Sequence, residues 1–118
     1  GIGENGHIAF NDPPVADFYD PFWVKVVALD EACRLQQVGE GHFASLDDTP
    51  SHAITMTISA LFTAKNTLAI VPEKRKAEAV KMALTGSVDT SCPASILQRI
   101  PQVKMFLDVD SAAKLINQ

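Results

Sequence analysis

Apolar residues in this chain come in short runs divided by polar turns, and the spacing within each run predicts its element. Val24, Val26 and Val27 fall in a β-branched stretch broken only by Lys25, which predicts a strand over Val24–Ala28. Asp30 then stands where a helix from Glu31 to Val38 needs its N-cap. Ile54, Ile58, Leu61 and Phe62 recur at helical spacing and predict a helix over residues 55–65. Thr67–Val71 is continuously apolar, of strand length, and closed by Pro72, the pattern of a strand buried on both faces. Ala77, Val80, Ala83 and Leu84 mark the inner face of a helix from Glu73 to Leu84 that Gly86 stops. Pro93 opens a short helix through Gln98, Val103–Leu107 predicts a third strand, and Ser111–Ile116 a terminal helix. Residues 1–20 and 39–50 carry the Gly, Pro, Asn and Asp punctuation of loops.

Strands alternating with helices predict an α/β fold with a doubly wound, mostly parallel sheet of about three neighbouring strands flanked by helices. The helices at hand cover only part of the two faces such a sheet presents. The expectation is therefore about half of a doubly wound domain. Its open sheet edge is a template for self-association or for pairing with a missing N-terminal half.

Composition narrows the function classes. The chain has 118 residues, enough for one domain, and a hydrophobic fraction of 47%, enough for a packed core. Ten basic residues against fourteen acidic ones give a net charge of −4, which offers no field for a nucleic-acid backbone. The densest basic run, Lys74-Arg75-Lys76, is flanked by Glu73 and Glu78. No apolar stretch approaches the ~20 residues of a membrane span. Cys33 and Cys92 are too far apart to suggest a disulfide framework or a metal-ligand motif, so the expectation is two reduced thiols in a cytoplasmic protein. The chain begins at Gly1 rather than Met, with its most chemical-looking segment first, which reads as processing or as part of a larger protein.

That segment, Gly1-Ile2-Gly3-Glu4-Asn5-Gly6, has the glycine spacing of a dinucleotide loop, but no helix opens after it. The longer run Gly1-Ile2-Gly3-Glu4-Asn5-Gly6-His7-Ile8-Ala9-Phe10-Asn11-Asp12-Pro13 resembles the active-site signature of the glucosamine-6-phosphate deaminase (isomerase) family. Segments around residues 24–30, 50–61, 68–85 and 91–101 follow the order and spacing of that family's C-terminal half. The resemblance implies a Rossmann-like fold over residues 1–118 and an aldose–ketose isomerase/deaminase. The implied activity turns an amino sugar phosphate into fructose 6-phosphate and ammonia, and the class expected for it is hydrolase. It implies no redox cofactor and no metal. The 6-phosphogluconolactonases share the glycines and the histidine but typically lack the Phe-Asn-acid-Pro continuation; a lactonase-like hydrolase is the second reading. A sugar-phosphate-binding module without catalysis is the third.

By the same resemblance, His7 opens the sugar ring, a task that suits a group titrating near neutrality. Asp12, where the family usually has Glu, assists through the imidazole. Asn5, where the family often has Asp, orients the ring by a hydrogen bond. Asp12 and Asn5 also read as turn residues, and both readings stand at this point. Lys76 corresponds to a lysine that binds the sugar phosphate beside a helix N-terminus, a setting already favourable to anions. Glu4, Lys74 and Arg75 read as surface residues, and His52 as structural. His42 lies in a loop the family uses near the substrate, where its phosphate-binding Arg has no clean counterpart: Arg34 falls early and Gln37 is nearest. The family's catalytic carboxylate base and its Gly/Ser/Thr-rich phosphate loop belong to the N-terminal half, and neither is found here.

Overall fold

A computed structural model describes residues 1–116. The element order is β1 (Val24–Ala28), α1 (Glu31–Gly39), β2 (His52–Met56), α2 (Ile58–Leu61), β3 (Thr67–Val71), α3 (Ala77–Thr85), β4 (Val103–Leu107) and α4 (Ala113–Ile116). One 3₁₀ turn, Lys74–Lys76, leads into α3, and a second 3₁₀ segment, Pro93–Arg99, leads toward β4.

The α/β class holds, and β1, β3 and β4 form where the sequence predicts them. Their arrangement differs. Among the described residues the strands make two two-stranded sheets, not one sheet of three. β3 and β4 pair in parallel from Thr67 opposite Val103 to Val71 opposite Leu107. β1 pairs antiparallel with β2, Val24 opposite Met56 and Ala28 opposite His52. The expected helix over 55–65 is therefore strand at its start and a single helical turn afterwards. Thr57 separates the two: its hydroxyl oxygen accepts the Ala60 N–H at 3.2 Å as an N-cap, and its hydroxyl donates to the Phe22 carbonyl at 2.6 Å. Ile54 and Ile58 have helical spacing but lie on opposite sides of that boundary. His52 is accordingly a strand residue rather than a turn residue before a helix.

The core lies between β3 and α3. Ala69 and Val71 of the strand meet Ala79, Val80 and Ala83 of the helix, closed by Ala94, Leu97 and Cys92. Alanine dominates the helix face, which lets its backbone come close to the Pro93–Arg99 segment. Ile2 is buried in this same cluster, so the glycine-rich segment is anchored by a core side chain rather than left as a free terminus. The strands bury one face and leave apolar side chains on the other. Val24, Val26, Ile54 and Met56 are exposed on the first sheet, and Leu68, Ile70 and Phe106 on the second. No helix of the described residues is long and apolar enough to cross a membrane.

Candidate active site

The glycine-rich segment folds into a tight loop closed by two backbone bonds, Gly3 N–H to the His7 carbonyl and Gly6 N–H to the Gly3 carbonyl, each 2.9 Å. Gly6 has φ +83°, and a Cβ there would approach Cys92 Sγ to 2.7 Å. Both the backbone and the space require glycine at this position. The Gly6 carbonyl then accepts the Ala94 N–H at 2.8 Å, fixing the loop to the second 3₁₀ segment. Further on, the buried Asn11 donates from Nδ2 to the carbonyls of Ile8 and Met56, both at 2.9 Å, which ties the loop to β2.

This loop brings His7, Asn5 and Asp12 together. The imidazole Nδ1 lies 2.6 Å from Asn5 Oδ1 and 3.2 Å from Asp12 Oδ1. Asn5 Nδ2 donates to Asp30 Oδ2 at 3.1 Å and to Asp12 Oδ1 at 3.4 Å, which fixes the amide with its oxygen toward the ring. Both neighbours of Nδ1 are then acceptors, so Nδ1 carries the proton in the neutral ring and Nε2 is bare. Asp12 is fully buried, and its Oδ2 accepts the Asp30 N–H at 2.8 Å. Asp30 occupies the N-cap position of α1 as the sequence predicts. Its side chain makes no cap bond to the helix, and its carboxylate takes Asn5 instead. Burial pushes the His7 pKa below its ordinary value; Asp12 opposes that shift and Lys76 adds to it.

His7 and Lys76 line one cleft of about 530 Å³, together with Gln36, Gln37, Glu40 and Thr55. Lys76 is buried as the N-cap residue of α3, and its Nζ donates to the Ile2 carbonyl at 2.7 Å. Burial lowers its pKa, while Glu40 pulls in the other direction. Glu40 is held below the ordinary carboxylate value chiefly by the Gln36 amide, which donates to it at 2.9 Å. Arg75 is a surface residue, as expected, and pairs with three carboxylates. It joins Glu73 at 2.8 Å, Glu40 at 3.2 Å and Glu4 at 3.7 Å, and of these only Glu40 lines the cleft. Arg34 is committed elsewhere: its guanidinium donates to the Leu46 and Thr49 carbonyls and holds the loop after α1. Gln37 does reach the cleft, and His42 lies outside it, 3.4 Å from Glu40.

Cys33 and Gln36 of α1 and Glu40 at its C-cap reach the site, and the sequence marks none of them as a site residue. Their signal there was only the helical spacing of Cys33, Gln36 and Glu40 after Asp30. Cys33 is buried and free, and its thiol pKa is pushed up to about 12 by burial and by the neighbouring Asp12. Cys92 is likewise buried and free.

The layout is that of an α/β protein whose buried histidine, set against an amide and a carboxylate, opens on a cleft that carries a lysine. No protein-family model matches the chain. It is 42% identical over 120 residues to the glucosamine-6-phosphate deaminase of Exiguobacterium sibiricum, covering 100% of this chain and 45% of that protein. To the glucosamine-6-phosphate deaminase of Bacillus thuringiensis it is 42% identical over 111 residues, covering 94% of this chain and 40% of that one. A solved monomeric glucosamine-6-phosphate deaminase of the NagB superfamily superimposes with a TM-score of 0.87 at 36% identity, over 96% of this chain and 45% of that chain. The resemblance carried by the first thirteen residues thus extends along the chain, which is similar to the C-terminal part of the glucosamine-6-phosphate deaminases. The chain spans less than half the length of the curated relatives it matches. The expected hydrolase class is corrected by these names: the relatives are named deaminases.

Proposed function

We propose that residues 1–118 supply the C-terminal half of a cytoplasmic glucosamine-6-phosphate deaminase, pairing with an N-terminal half or with a further copy of itself. His7 is the ring-opening group. In its neutral form the bare Nε2 takes the proton of the anomeric hydroxyl and returns it to the ring oxygen as the pyranose opens. Asp12 stabilises the imidazolium formed between those steps, and Asn5 holds the ring in one tautomer. Lys76, at the start of α3, binds the sugar phosphate. The proton transfer from C2 to C1 falls to a carboxylate of the N-terminal half; a solvent water then adds its oxygen at C2, the C2–N bond breaks, and ammonia leaves as the ketose forms.

The observation that carries this reading is the His7–Asp12 contact of 3.2 Å beside a cleft that also contains Lys76. The 42% identity to named deaminases supports the choice of substrate. The test is ammonia release from glucosamine 6-phosphate by this chain alone and by the chain fused behind the N-terminal half of the Exiguobacterium sibiricum relative. No turnover is expected alone, and turnover sensitive to His7→Gln in the fusion. Normal turnover by the chain alone overturns its role as a half, and a folded fusion without ammonia release overturns the substrate.

A further inference from the structure

One donor atom each from His7, Asp12 and Cys33 lies within 4.8 Å of the other two, and all three residues are buried. We propose that these side chains form a binding site for a thiophilic divalent cation of the Zn²⁺ class, one that holds the acid–base centre in an inactive state.

The donor set argues for that class. An imidazole nitrogen, a carboxylate oxygen and a thiolate sulfur are the ligand types of zinc sites, and the sulfur selects against Mg²⁺ and Ca²⁺. Bonds of about 2.0–2.3 Å place tetrahedral ligands about 3.3–3.7 Å apart, so the cluster closes by roughly 1 Å on binding. The imidazole atom that faces the carboxylate is Nδ1, at 3.2 Å from Asp12 Oδ1. Asn5 Oδ1, 2.6 Å from Nδ1, stands as the fourth donor. The outer support that metal sites need is already in place, because the second oxygen of Asp12 is held by the Asp30 N–H at 2.8 Å. Entry is from the cleft that His7 lines.

The proton balance explains why occupancy would silence the centre. The cation expels the Cys33 thiol proton to solvent. It also takes the Nδ1 lone pair, so the imidazole proton moves to Nε2. Nε2 then has no lone pair with which to accept the anomeric proton. This consequence rests on the deaminase reading; the site itself does not.

Co²⁺ serves as the probe on the full chain, read by its visible and near-ultraviolet absorption. The expected result is one Co²⁺ per chain with a thiolate-to-cobalt charge-transfer band, displaced by Zn²⁺ and not by Mg²⁺. Cys33→Ser should remove the band and weaken binding by at least about tenfold, whereas Cys92→Ser should leave both unchanged. The wild-type spectrum decides the matter even where Cys33→Ser disturbs folding. Co²⁺ bound without a thiolate band overturns the proposal, as does equal affinity in folded Cys33→Ser or the absence of saturable binding. No turnover is measured, so failure of the deaminase reading leaves this result intact.

Discussion

A methyl group on Gly3 would lie 2.0 Å from Cε1 of His7, so the imidazole rests directly against the backbone of the glycine loop. The ring has no room to retreat, because Nδ1 is engaged by Asn5 and faces Asp12. Gly3→Ala should therefore displace the imidazole without unfolding the core. In a complete enzyme containing this segment, a shift of this kind should lower kcat by about 100-fold. Turnover measured beside circular dichroism checks the loss of rate and the retention of fold.

His7→Gln should lower turnover by ~100- to 10,000-fold in the same complete enzyme. It should barely weaken the binding of an open-chain analogue, which needs no ring opening. Asp12→Asn should act in the same direction, because an amide cannot stabilise the imidazolium. Asp12→Glu restores the family's usual residue and should be tolerated. Equal losses in analogue binding and in turnover would make His7 a binding residue instead.

Burial sets the sign of the pH response. The folded chain holds the His7 pKa below its ordinary 6.5, so the unfolded chain takes up the proton first as pH falls. This contribution to stability is complete above about pH 6.5 and diminishes as pH falls below it toward the folded value. A proton NMR titration should give a His7 midpoint below 6.5. In Asp12→Asn the midpoint should fall further, since the Asp12 charge is what opposes the shift. A midpoint at or above 6.5 contradicts the assignment.

Glu73 has φ 87° and ψ 143°, backbone that a side chain strains to adopt. Such strain costs about 1–3 kcal/mol, against roughly 0.5–1 kcal/mol for the extra freedom glycine brings to the unfolded chain. Its exposed ion pair with Arg75 contributes little. Glu73→Gly should therefore raise unfolding stability by about 1 kcal/mol, read from the urea midpoint. A fall in that midpoint would mean that the link to Arg75 outweighs the strain.

Local pattern made much of this fold legible. Val24–Ala28, Thr67–Val71 and Val103–Leu107 are strands at the predicted bounds, because β-branched runs between breakers leave little alternative. β2 was hidden because Thr57 divides strand from helix inside a single apparent helical repeat. Strand pairing was hidden as well: nothing in the local pattern of β1 distinguishes an antiparallel partner 24 positions downstream from a parallel one farther along. At the site, the contiguous run from Gly1 to Pro13 displayed His7, Asn5 and Asp12. Cys33 and Glu40 carry no motif of their own, and only the docking of α1 brings them to the imidazole.

The hydrogen bond from Lys76 to the carbonyl of Ile2 joins groups 74 positions apart. It has a consequence for the order of events during synthesis. The loop around His7 leaves the ribosome well before Lys76 and the helix that buries Ile2, so neither is there to hold it until translation has passed α3. Until then the loop pays the entropy of closure with no contact to offset it. The local geometry around His7 is therefore a late product of folding, and a nascent chain stalled before Lys76 should carry a histidine that still titrates as it does in a free peptide.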